Sequence, residues 1–186
     1  MIKIIAGKYK NRKLKHFNIE SIRPTQARVR KSMFDIIGDL SGKVVLDLFC
    51  GVGSIGIEAL SRGAKSVSFV DSDLKALNIL KDNLNLLKID FNNYSIIKSD
   101  VFSYLFKQNQ SFDLIVADPP YGKFCFPDLI LDIENKVKKH GIFCYESKKE
   151  KIESDLNLKI KKYGNTQLIF WRNEWIKQFT QDLLIQ

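Results

Sequence analysis

Long apolar runs are missing from this 186-residue chain. No stretch approaches the roughly 18 consecutive apolar residues that a membrane span needs. The opening MIKIIAGKYKNRK has neither an apolar core segment nor a small-residue cleavage site, so the expectation is a cytoplasmic protein with no membrane contact. Cysteine is sparse: Cys50, Cys125 and Cys144 form no CxxC pair and are odd in number. That argues against a disulfide framework or a zinc knuckle and leaves them as core thiols. His16 and His140 stand far apart without ligand spacing, so no metal is expected. Proline is scarce too, and two of the four prolines are adjacent, Pro119-Pro120. With 45% hydrophobic and 27% charged residues, the chain has material for one globular domain and not for a disordered polymer. Nothing in it demands more than a monomer.

Acidic residues are rare at the N-terminus. Residues 1–31 hold ten basic residues (Lys3, Lys8, Lys10, Arg12, Lys13, Lys15, Arg23, Arg28, Arg30 and Lys31) against Glu20 alone. The remaining twenty basic and twenty acidic residues cancel, so the whole net charge of +9 sits in that arm. A neutral body with a concentrated basic arm predicts a polyanionic partner, because phosphate contacts release counterions. The competing explanation is compositional drift in a lysine-rich chain, but four of the six arginines fall in this arm.

Hydrophobic periodicity predicts strands alternating with helices. Residues 2–7 and 13–19 read as a short hairpin around a glycine turn. Thr25 then caps a helix carrying Val29, Met33, Phe34, Ile36 and Ile37. Strands follow at 43–49, 66–71, 94–100, 112–118 and 142–147, separated by helices, and 156–164 with 166–172 form a closing antiparallel pair. The fold class is α/β: a doubly wound, seven-stranded, mostly parallel sheet with an antiparallel end and a small N-terminal hairpin and helix extension. Residues 1–40 form the basic extension and 41–172 the α/β domain. The tail 173–186 is helical, from the spacing of Trp175, Ile176, Phe179, Leu183 and Leu184.

Glycines mark the loop where the chemistry begins. Asp47-Leu48-Phe49-Cys50-Gly51-Val52-Gly53-Ser54-Ile55-Gly56 runs off the first parallel strand into a helix. Gly51-x-Gly53-x-x-Gly56 alone also fits a dinucleotide fingerprint. Asp47, four residues before Gly51, repels a pyrophosphate and suits an amino-acid moiety. Asp71 ends the second strand, placed for ribose hydroxyls. Asp100 ends the third, placed for an adenine amine. A cationic amino acid, a ribose and an adenine without phosphate describe S-adenosylmethionine.

The fourth parallel strand ends in Asp118-Pro119-Pro120-Tyr121, where two prolines stop the sheet abruptly. Such a tetrapeptide suits transfer to an exocyclic base amine, a poor nucleophile because its lone pair is delocalised. The Asp118 carboxylate and Pro119 carbonyl can accept its two N–H groups, while Tyr121 stacks on the base.

Together these motifs resemble the class I S-adenosylmethionine-dependent amino-methyltransferases, which have a Rossmann-like fold. Ile4-Ile5-Ala6-Gly7 with Arg12-Lys13-Leu14, Arg23-Pro24-Thr25 through Arg28-Val29-Arg30, Phe34, residues 47–64, Val70-Asp71, Ala117 to Tyr121 and Tyr163-Gly164 narrow the resemblance. Over residues 2–172 the chain resembles the small-subunit (16S) ribosomal RNA guanine-N2 methyltransferase family (RsmD-type). The resemblance implies S-adenosyl-L-methionine as cofactor, held by Asp47, Phe49, Gly51, Gly53, Asp71, Ser72, Asp100 and Val101. It implies that Asp118, Pro119, Pro120 and Tyr121 hold the target guanine. Lys8, Lys10, Arg12, Lys13, Arg23, Thr25, Arg28 and Arg30 would contact 16S ribosomal RNA, naked or in a small ribosomal subunit particle. Cys50 stands where alanine is commoner in the family, and residues 173–186 extend past its usual end.

Three other readings remain. A DNA or RNA adenine-N6 methyltransferase shares the Asp-Pro-Pro-Tyr chemistry, although the chain has no room for a separate DNA-recognition domain. A nicotinamide-dependent oxidoreductase would rest on the glycine loop alone. A non-catalytic RNA-binding protein could keep the same fold.

Overall fold

The computed structural model describes residues 2–17 and 24–173. Two short strands, β1 (Ile2–Lys3) and β2 (Lys13–Leu14), pair antiparallel and precede α1 (Pro24–Ile37). Then β3 (Val44–Leu48), α2 (Ser54–Ser61), β4 (Ser66–Asp71), α3 (Leu74–Leu86), β5 (Tyr94–Lys98), α4 (Val101–Lys107), β6 (Phe112–Ala117), α5 (Phe126–Ile133) and β7 (Val137–Lys148) alternate. The hairpin β8 (Leu158–Tyr163) and β9 (Thr166–Arg172) closes the chain's described part. Seven strands form one sheet in the order β5-β4-β3-β6-β7-β9-β8. The β3–β4, β4–β5, β3–β6 and β6–β7 pairs are parallel, and β9 is antiparallel to both its neighbours.

Burial on both faces explains the strand sequences. Val45, Leu46 and Leu48 of β3 and Leu114 to Ala117 of β6 are all buried, as expected of central parallel strands covered by helices on each side. One core joins α1, α2 and α3 to one face through Met33, Phe34, Ile57 and Leu80. The other joins α4 and α5 to the opposite face through Leu105, Phe126 and Leu129. From β3 the chain winds outward through β4 to β5 and then returns to β6 on the other side of β3. That reversal opens a crevice at the carboxyl ends of β3 and β6, where open α/β sheets bind ligands.

The structure departs from the sequence reading in element boundaries. The expected hairpin of residues 2–7 and 13–19 contracts to two residues per strand, because the intervening backbone bonds to α2 instead. The Glu58 carboxylate accepts from the N–H groups of Ile5 (2.7 Å) and Ala6 (3.0 Å), and Ser61 O accepts from Lys8 N at 2.7 Å. Gly7, with φ +79°, permits that approach, since a Cβ there would fall 1.8 Å from Ser61 O. Ile4, Leu14, Val29 and Phe34 share one core with the sheet. Finally, β7 begins at Val137 rather than 142, with a register shift between the Phe112↔Val137 and Leu114↔Ile142 pairs. Helix α1 starts at Pro24, a residue before the expected cap Thr25. Arg23, the Thr25 side chain and residues 174–186 of the expected tail helix lie outside the described residues.

Glu58 is 0% exposed and also pairs with Arg62 at 2.8 Å, whose guanidinium lies 4.7 Å from the centre of the Phe34 ring. One buried carboxylate thus ties the N-terminal segment and α1 to α2. Glu58→Ala strands two backbone donors and a cation, and is expected to lower the unfolding free energy by about 3 kcal/mol in denaturant titration. A loss below about 1 kcal/mol would show that the clamp is not structural.

Candidate active site

The loop after β3 is held by two carboxylates beneath it. Asp47 is 1% exposed and accepts from Gly56 N at 2.8 Å, inside the first turn of α2. Gly53 caps that helix in a left-handed conformation without a side-chain cap bond, so Asp47 supplies an acceptor from the strand below. Asp71 reaches the loop from β4, accepting from Gly51 N (2.8 Å) and Asp73 N (2.9 Å). The glycines divide the labour. A Cβ at Gly56 would fall 2.2 Å from the Phe69 ring, so this glycine lets α2 lie close on β4, whereas a Cβ at Gly51 meets open space.

Strand register brings the second motif alongside. Leu48 pairs with Ala117, so Phe49 and Asp118 leave the sheet side by side. They border a cleft of about 440 Å³. One wall is the loop from Phe49 to Val52 with Ser54 and Ile55, and the strand ends contribute Asp118 and Glu146. The opposite wall is the N-terminal segment, through Ile2, His16, Phe17, Arg30 and Met33. Tyr121 stands exposed, its hydroxyl sharing a 2.8 Å hydrogen bond with Thr166 Oγ1. Pro119 is buried and Pro120 exposed.

Acids dominate the electrostatics. Burial first, and then the charges of Asp118 and Asp71, push the Asp47 carboxyl up to about 8, although the Gly56 N–H lowers it. Asp118 opens to the cleft yet is enclosed by protein, and this desolvation pushes it up to about 6. Glu146 is raised by burial and by Asp118, while the Tyr121 hydroxyl and Arg30 lower it. Such a cleft favours a cation. The anion position at the start of α2 is already taken by Asp47, which leaves a pyrophosphate no place there. The residues therefore fit a sulfonium with an ammonium group and do not fit a nicotinamide dinucleotide.

The remaining candidates divide. Ser72 is exposed beside Asp71, and Asp100 caps α4 through Ser103 N at 2.9 Å. Val101, the first residue of α4, is buried. Phe124 packs on Phe49 (4.8 Å between ring centres) and Phe102 (5.8 Å), forming an aromatic cluster beside the loop. Lys8, Lys10, Arg12, Lys13 and Arg28 are exposed on the N-terminal segment. Arg30 is not on that surface: 8% exposed, it donates to Lys3 O and faces the cleft. Glu146 is not among the residues singled out from the sequence. The available signal was an acid near the carboxyl end of the fifth parallel strand, on the edge where Asp71 and Asp118 also lie.

Asp47, Asp118 and Glu146 all hold protons more tightly in this fold than in an unfolded chain. Between pH about 4 and about 8, the folded state therefore binds more protons, and the free protein loses stability as pH rises. Asp47→Asn keeps an acceptor for Gly56 N and removes one charge. It is expected to flatten this decline in unfolding measured across that range, and an unchanged slope would contradict the burial of a titrating Asp47.

The family model described as "Conserved hypothetical protein 95" matches residues 2–172. The "Ribosomal RNA small subunit methyltransferase D" of Haemophilus influenzae is 33% identical over 156 residues, 81% of this chain and 80% of that protein. Its namesake from Buchnera aphidicola subsp. Baizongia pistaciae is 32% identical over 147 residues, 77% and 74% of the two chains. Among solved structures, a putative methyltransferase from Escherichia coli aligns with a TM-score of 0.81 at 26% identity, covering 93% of this chain and 98% of that one. The match spans the N-terminal segment, the glycine loop and the Asp-Pro-Pro-Tyr turn alike, and the chain belongs to the Conserved hypothetical protein 95 family, the RsmD family.

Proposed function

We propose that this chain transfers a methyl group from S-adenosyl-L-methionine to the exocyclic N2 amine of a guanine in small-subunit (16S) ribosomal RNA. The reading is carried by one observation: Asp118 borders the same acid-lined cleft as the glycine loop. Relatives named for methylation of small-subunit ribosomal RNA support the substrate class. Backbone at Gly51 and Gly53 with the Asp47 charge beneath would hold the methionine end, Asp71 the ribose, and the Asp100–Val101 helix start the adenine. Asp71 already accepts two N–H groups, but a carboxylate has further lone pairs for ribose hydroxyls.

The bound sulfonium supplies a methyl group already activated toward nucleophilic attack. The protein's share is positioning. Asp118 and the Pro119 carbonyl accept the two N–H groups of the amine, which frees its lone pair to point along the attack line. As the new N–C bond forms, one proton leaves the nitrogen toward Asp118, whose raised pKa suits it to accept near neutrality. Tyr121, anchored through Thr166, offers a face for stacking. A base within a helix cannot reach this cleft, so the target must be unstacked or looped out. The exposed Lys8, Lys10, Arg12, Lys13 and Arg28 lie on the segment that walls the cleft and would engage the RNA backbone.

Asp118→Ala is expected to leave S-adenosylmethionine affinity nearly unchanged, measured by calorimetry, while methyl transfer to small-subunit RNA falls about 10²- to 10³-fold. Equal loss of both would remove the assigned role. Replacing Lys10, Arg12 and Lys13 together with alanine should reduce the slope of log affinity against log salt by about 2. An unaltered slope would take the basic surface out of RNA binding.

A further inference from the structure

We propose that Glu146 and Arg30 read the Watson–Crick edge of the target base: the Glu146 carboxylate accepts guanine N1–H beside the amine held by Asp118, and Arg30 donates to O6. The inference rests on the methyl-transfer reading of the same cleft. It begins with register. Tyr145 on β7 pairs with Ala117 on β6, so Glu146 and Asp118, the next residue of each strand, stand side by side at the carboxyl edge. Tyr145 packs into the core beneath α4 and α5, so the alternation of the strand turns Glu146 to the opposite face, toward Arg30 and Met33. Glu146, Asp118 and Arg30 all line the cleft.

The order of the three groups follows from where each is mounted. Asp118 and Glu146 come from the ends of neighbouring strands, and Arg30 comes from the opposite wall, where it and Glu146 lie in each other's field. Taken from the strand ends to that wall, the row reads acceptor, acceptor, donor. Guanine presents the complement in the same order: the N2 amine, N1–H and the O6 acceptor. Adenine presents an amine beside a bare N1 lone pair, which the ionised Glu146 carboxylate would repel.

Glu146 and Arg30 both have capacity to spare. No salt bridge engages Glu146 among the described residues; its contacts are the Tyr121 hydroxyl and the field of Arg30. Arg30, 8% exposed, gives one donor to Lys3 O at 2.6 Å and leaves its Nε buried without a partner. A guanidinium buried beside a cleft with donors unspent is costly unless something in the cleft uses the charge. The same pair accounts for the amine selectivity that Asp-Pro-Pro-Tyr lacks, since that motif serves guanine and adenine equally.

The test exchanges the edge rather than the protein alone. In small-subunit RNA, the guanine methylated by the wild-type protein is replaced by 2-aminopurine, which keeps the N2 amine but carries a lone pair at N1. The wild-type protein and Glu146→Gln are compared on both RNAs by kcat/KM, with S-adenosylmethionine affinity checking that the variant folds. A glutamine amide can donate to the bare N1, so Glu146→Gln should shift the preference toward 2-aminopurine about 10- to 100-fold. The missing O6 is common to both proteins and cancels in that ratio. An equal change on both RNAs, or no change, overturns the inference while leaving the proposed function intact. If the wild-type protein methylates no guanine, the proposed function falls and this inference falls with it.

Discussion

Parallel pairing of β3 with β6 is the constraint on which the site depends. In the register Leu48↔Ala117 the glycine loop and the Asp118 turn emerge at one edge, next to each other, although the paired residues are 69 positions apart in the chain. The return of the chain from β5 to β6 creates that adjacency, and the apolar runs of both strands bury it between two helical layers. A one-residue slip would turn Asp118 to the other face and dismantle the cleft. Carboxylates then gather there because each parallel strand delivers its last residue to the same edge. Their mutual repulsion is tolerable in a site built for a cation, and the protein spends one of them, Asp47, on the loop itself.

The basic segment is packed onto the α/β domain. Glu58 takes two backbone N–H groups from Ile5 and Ala6, and Arg62 carries the connection on to Phe34 of α1. The segment that presents Lys8, Lys10 and Arg12 to solvent therefore also supplies Ile2, His16, Phe17 and Arg30 to the cleft wall. Under the proposed function, contact with an RNA backbone and admission of a base into the cleft would both fall to the N-terminal segment.

Much of this was legible in the chain. Buried parallel strands write themselves as apolar runs, so VVLDL and FDLIVA were read as strands, and the acids ending them pointed to one shared edge. What each acid touches was not legible: Asp47 caps α2 and Asp100 caps α4, contacts that depend on helix placement. Charge counting carries no direction, so Arg30 was grouped with the exposed cations, and only packing turns it inward. Glu58 in a helix reads as a solvated acid, because its partners lie fifty residues away in a segment expected to pair with itself. Glu146 was missed because the strand IFCYES closes on a serine rather than on its acid, unlike SVSFVD.

Transfer of labelled methyl from S-adenosylmethionine, followed by nucleoside analysis, tests the central claim most directly. The substrate is small ribosomal subunits isolated from cells lacking this protein, with naked small-subunit RNA and duplex DNA in parallel. N2-methylguanosine from the ribosomal substrate is the predicted result. Methylated adenine would keep the chemistry and contradict the substrate, and no transfer to any of them with the cofactor bound would contradict the account.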